Sequence, residues 1–136
     1  MARYWNPSEI AAPVGKYSHL AEAPAGHRLV WISGQVGIRP DGELAGPDAA
    51  AQTRQAFANI EALLDHLGAG PGDLVKLVTL VSGTDPGHLA GFMTGRDEYF
   101  AKWYPDGVYP AHTLAVVAGL AKPELAVEIE GIVAVP

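Results

Sequence analysis

The sequence has no cysteine, which excludes a thiol nucleophile, a disulfide framework and a thiolate metal site. It has no apolar run near the ~20 residues that a membrane helix needs. Met1-Ala2-Arg3-Tyr4-Trp5 lacks the charged-then-apolar pattern of a signal peptide. Basic residues are scarce: 9 Lys and Arg stand against 15 Asp and Glu, a net charge of −6. Nucleic acids and anionic membranes require a surplus of base, so neither is expected as a partner. The glycines form no phosphate loop or dinucleotide fingerprint. Ser33-Gly34-Gln35 is not a nucleophile elbow, and no Ser-His-Asp order stands out. His19, His27, His66 and His88 show no metal-ligand spacing, and no metal is expected. The expectation is a cytoplasmic protein that works on small molecules.

What is present suits one domain over residues 1–136, with 49% hydrophobic and 18% charged residues and no linker or repeat. Residues 2–6 and 17–22 read as short strands, and Leu29–Val36 as a central strand. Asp48 is placed to cap a helix whose apolar stripe is Phe57, Ile60, Leu63, Leu64 and Leu67, with Gly68 as the stop. Leu74–Val81 is a strand, apolar except for Lys76 and Thr79. Asp85-Pro86 reads as the start of a second helix carrying Leu89, Phe92, Met93, Arg96, Tyr99, Phe100 and Trp103 on one stripe. Tyr104-Pro105-Asp106-Gly107 ends it, and two strands follow. Two helices cover only one face of such a sheet, so the other face calls for a second copy in a closed symmetric oligomer.

Two stretches are chemically distinctive. Tyr109-Pro110-Ala111-His112-Thr113 leads into the apolar run Leu114–Ala118, expected as a buried strand with one polar side chain at its mouth. Val127-Glu128-Ile129-Glu130 alternates strictly, so Glu128 and Glu130 share a face, roughly 6.7 Å apart. Carboxylates seldom stay on apolar strands unless they are paired or used. Glu128 is therefore either ligand-facing or in a structural ion pair. Glu130 fits better as a structural partner of Lys76 or Arg96. Arg96, on an apolar stripe, either pairs with a protein acid or faces a cleft.

Gly15-Lys16-Tyr17-Ser18, Ile32-Ser33-Gly34-Gln35-Val36-Gly37, Gln52-Thr53, Asn59-Ile60, Asp73-Leu74-Val75-Lys76, Pro110-Ala111 and Glu128-Ile129-Glu130 occur in order over residues 10–135. This series resembles the RidA family of reactive-intermediate deaminases, also named YjgF/UK114. The resemblance implies an α+β, chorismate-mutase-like fold: a mixed six-stranded sheet with two helices on one face, in a homotrimer around a central barrel. It implies ligand clefts between subunits and cofactor-free hydrolysis of 2-imino or enamine acids to 2-oxo acids and ammonia. It further implies Glu128 as the catalytic acid/base, with Tyr17, a serine-glycine turn at Ser33 and Gly34, and Thr113 in the cleft.

One position departs from the family pattern. Where relatives read Pro-Ala-Arg-Ser/Thr, this chain reads Pro110-Ala111-His112-Thr113. Arginine is a permanently charged fork, whereas histidine offers at most one useful donor and is largely neutral at pH 7. Charge-assisted bonds contribute about 1.5–3 kcal/mol each. Their loss would weaken the hold on a 2-imino carboxylate unless Arg96 substitutes. A non-catalytic metabolite-binding trimer and a cleft recruited for tautomerisation or cyclisation are the alternatives to a deaminase.

Overall fold

The computed structural model describes residues 1–136. The order is β1 (Arg3–Trp5), β2 (Leu20–Glu22), β3 (Arg28–Val36), α1 (Ala49–His66), β4 (Leu74–Ser82), α2 (His88–Trp103), β5 (Ala111–Val117) and β6 (Val127–Val135). The class is α+β, as expected. The six strands do not make one sheet, however: four form the order β3-β6-β4-β5, and β1 with β2 form a separate ribbon. Prolines at 7, 13 and 24 flank those short strands and remove ladder donors around them. A single bridge, Ser18 to Ala111, joins this region to β5.

β6 lies antiparallel between β3 and β4, and β4 pairs in parallel with β5. A parallel pair needs a crossover, and α2 supplies it. Asp48 caps α1 as expected, its Oδ2 accepting from the Ala51 N–H at 3.0 Å. Gly68 follows the last turn with φ +68°, a left-handed conformation that glycine adopts without strain. The second helix starts at His88 rather than at Pro86. Asp85 Oδ1 accepts from the Gly87 N–H at 2.7 Å, so Asp85 and Pro86 form a turn ahead of the helix.

Both helices pack on one face of the sheet. Phe57, Ile60 and Leu64 of α1 and Phe92 and Phe100 of α2 meet Leu74, Leu77 and Val81 of β4 and Val127, Ile129 and Val133 of β6. Two buried or half-buried amides fasten α1 to its surroundings. Gln52 donates to the carbonyls of Gly46 and Glu124 and accepts from the Ala126 N–H, which fixes the entry to β6. Asn59 donates to the carbonyls of Val36 and Ile38 at the exit of β3. No helix is long and apolar enough to cross a membrane.

The opposite face carries Trp31, Ile132, Val78, Leu80, Glu128 and Glu130, as the strand registers require. Trp31 is 67% exposed there. β5, expected to be buried, is instead an edge strand, with Val116 56% exposed. It has a sheet neighbour on one side only.

The helices approach closely at two glycines. A Cβ on Gly95 would stand 2.7 Å from Thr53 Cγ2, and one on Gly91 would stand 3.0 Å from the Ala50 nitrogen. Gly95→Val should therefore destabilise the fold by about 1–3 kcal/mol, in spite of valine's better helix propensity. Urea unfolding checks this, and an unchanged midpoint would mean that the helices can part without cost.

Candidate active site

The larger cavity lies at the β5 edge, with a volume of about 440 Å³. The loop Val14–Tyr17 forms one wall, Met93 and Arg96 of α2 another, and His112, Thr113 and Leu114 of β5 the floor. Four of the expected site residues thus meet in one place: Tyr17, Arg96, His112 and Thr113. The parallel register explains how β5 contributes. Leu77 pairs with His112 and Val78 with Thr113, so His112 turns toward the helices and Thr113 toward the open face.

Each of these two side chains is tied back to β4. His112 Nε2 lies 2.8 Å from Thr79 Oγ1 on the helix side. Lys76 Nζ donates to Thr113 Oγ1 at 2.7 Å on the other side. The rings of Phe92 and Phe100 flank the imidazole, with centroids 6.4 and 6.1 Å away. Burial first, and then the positive charges of Arg96 and Lys76, pull the His112 pKa down to about 4. His112 is therefore an uncharged imidazole at neutral pH.

The positive charge of the cavity sits elsewhere. Arg96, with its side chain only 12% exposed, donates through Nε and a terminal nitrogen to Asp97 Oδ1 at 3.1 and 3.0 Å. Lys16 Nζ reaches the same oxygen at 2.9 Å. Burial tends to raise the Asp97 pKa, but the bonds from Lys16 and Arg96 outweigh it and hold the carboxyl below its usual range. Both alternatives for Arg96 hold together: it pairs with a protein acid and lines the cavity. Two cations share one carboxylate, which leaves one net positive charge at the mouth.

The other expected residues lie apart from this cavity. Ser33 and Gly34 do not form a turn. They occupy a β-bulge in β3, where the register passes from Ile32 opposite Gly131 to Gln35 opposite Ile129. Three steps on β3 thus match two on β6, so one extra residue bends the strand. Ser33 lines a second cavity of about 310 Å³ with Trp31, Gln35, Leu63 and His66. The Glu128 side chain lies across Gly34, where a Cβ would stand 2.7 Å from its Cγ and overlap its carboxylate. Glu128 is half-buried. Its carboxylate makes no ion pair and no hydrogen bond within the chain.

Glu130 is exposed and bonds neither Lys76 nor Arg96, whose partners are Thr113 and Asp97. No group of three or more His, Asp or Glu side chains is arranged to hold a metal ion. Lys16, Asp97 and Thr79 were not singled out as site residues from the sequence. Thr79 did carry a signal, as a hydroxyl on a strand that is otherwise apolar apart from Lys76. Asp97 adjoins Arg96 in sequence, but nothing in the pattern tells that Lys16 shares its oxygen.

The sequence model of the family described as Endoribonuclease L-PSP matches residues 8–135. The chain belongs to that family, the RidA/YjgF group. A 2-iminobutanoate/2-iminopropanoate deaminase of Bos taurus is 34% identical over 126 residues, 92% of this chain and 84% of that protein. The Escherichia coli (strain K12) protein of the same name is 30% identical over 104 residues, 76% of this chain and 77% of that one. Among solved structures, the Rid-family protein YyfB of Yersinia pestis, of unknown function, superposes with a TM-score of 0.81 at 36% identity, covering 98% of each chain. Within this RidA-family chain the cavity and the free carboxylate occupy opposite halves of the sheet.

The shift at His112 has a consequence for stability. Its pKa falls from 6.5 in the unfolded chain to about 4 in the fold, so between those values the unfolded chain binds more protons. Stability present above pH 6.5 should drop by roughly 3 kcal/mol as the pH falls toward 4. The carboxylates held low by their partners titrate below this window, so His112→Gln should flatten the slope between pH 6.5 and 4.5. Urea titrations across that range check it, and parallel slopes for the two proteins would contradict the assignment.

Proposed function

We propose that this RidA-family protein is a deaminase-like hydrolase of a reactive imine or enamine, with Glu128 as its general acid/base. The observation that carries this reading is a half-buried carboxylate with no partner in its own chain, lying across the bulge at Gly34. Such a carboxylate is free to exchange protons with water. In the proposed step Glu128 removes a proton from water as its oxygen attacks the C=N carbon. That proton passes to nitrogen to give the carbinolamine. Glu128 then takes the hydroxyl proton and delivers it to the amine nitrogen, so that the C–N bond breaks as the C=O bond forms and ammonia and a carbonyl compound leave.

The halves of the site are joined by assembly. β3 and β5 are the two free edges of the four-stranded sheet, and the open face between them is partly apolar, with Trp31 67% exposed. A ring of three copies would set the Glu128 edge of one against the β5 cavity of the next. Lys16 and Arg96 would then supply the positive charge that the strand position lacks. Their sharing of Asp97 makes that grip weaker than a free guanidinium. The substrate is accordingly an imine or enamine acid for which charge at the mouth and a neutral donor at the floor suffice. The −6 charge disfavours an RNA substrate.

Ammonia release from freshly generated 2-iminobutanoate and 2-iminopropanoate tests this. Glu128→Gln should lower turnover by about 10²–10⁴-fold. Gly34→Ala, which displaces the carboxylate, should also impair it while leaving the cavity residues in place. If Glu128→Gln matches the unaltered protein on every imine tried, the reading fails.

A further inference from the structure

Thr79 is fully buried on the helix side of β4, and its hydroxyl has a single partner in the chain, His112 Nε2 at 2.8 Å. His112 Nδ1 has no partner in the chain. The one side-chain polar atom both sealed from solvent and unbonded is Thr53 Oγ1, so Nδ1 keeps some access to solvent, and the residue lines the cavity. Phe92 and Phe100 flank the ring and hold its plane.

A neutral imidazole carries one proton, on either nitrogen. With the proton on Nε2, that N–H donates to Thr79 Oγ1 and strands the hydroxyl hydrogen of Thr79 with no acceptor. With the proton on Nδ1, the Thr79 hydroxyl donates to bare Nε2 and no buried donor is left over. A stranded buried donor is the costlier state, so the second arrangement prevails.

We propose that Thr79 is a positioning residue that fixes His112 with its proton on Nδ1, so that the cavity floor offers an uncharged N–H donor to a substrate oxygen. The role in substrate binding rests on the cavity's being the ligand half of the deaminase site. The donor recognises a lone pair rather than a charge, and it is ready at any pH where the imidazole is neutral. The ligand class is a small acid whose oxygen accepts from His112 while the Lys16–Arg96 pair meets its charge. A cation at position 112 is not needed for such an acid to bind.

Nitrogen-15 NMR of the labelled full chain reports directly which ring nitrogen carries the proton. The free protein should show it on Nδ1, and 2-oxobutanoate should shift that N–H resonance. Thr79→Val should move the proton to Nε2 in at least part of the population and weaken 2-oxobutanoate binding by about tenfold, the loss of one hydrogen bond. Thr79→Ser, which keeps the hydroxyl, should restore both. A proton on Nε2 in the unaltered protein overturns the proposal, as does unchanged tautomer and affinity in Thr79→Val. Absence of any 2-oxobutanoate shift at the His112 ring overturns its ligand-facing part. None of these readouts involves turnover, so a failure of the Glu128 chemistry would appear separately, as absent ammonia release.

Discussion

The register of β4 against β5 governs the candidate site. Leu77 opposite His112 and Val78 opposite Thr113 send two adjacent polar side chains to opposite faces of the sheet. Each is then fixed by a diagonal bond to β4, His112 by Thr79 and Thr113 by Lys76. A slip of one residue would exchange the faces, exposing the imidazole and pushing Thr113 under the aromatic rings of α2. Both bonds would be lost. The burial of Leu77, Thr79 and Val81 beneath the helices makes that slip costly.

From this register follows the distribution of charge. A strand position packed under Phe92 and Phe100 is a poor place for an ion, and the imidazole there is neutral. The cations stand instead on α2 and on the loop before β2, held together by Asp97. Burial of Arg96 is tolerable because its guanidinium has that carboxylate. Compared with a strand arginine, this arrangement places charge at the rim of the cavity and leaves the floor to a single hydrogen bond.

The main elements could be read from the sequence because their apolar periods are clean: Phe57, Ile60 and Leu64 recur at helical spacing, and Val127, Ile129 and Val133 at strand spacing. Asp48 and Gly68 bound α1 as their chemistry requires. Three features could not be read. The division of the strands into four and two depends on pairing between distant segments, which period does not encode. The bulge at Ser33-Gly34 resembles a turn in sequence because both use small residues. The apolar run of β5 suggested burial, although it lies at an edge. The ordered motifs also mixed roles: Gln52 and Asn59 prove to be structural fasteners, while Tyr17 lines the cavity. The bond between Thr79 and His112 joins residues 33 apart, beyond any local pattern.

The central claim is that the cavity on one copy works with Glu128 from another, and mixing of subunits tests it most directly. Glu128→Gln and Arg96→Gln chains, each expected to be inactive alone, would be unfolded together in equal amounts, refolded and assayed for ammonia release. If every site is shared between neighbours in a ring of three, about a quarter of the sites regain both functional halves, and activity returns to about that fraction of the unaltered protein. If the mixture stays as inactive as its parents while still assembling, each site belongs to one chain and the account is wrong.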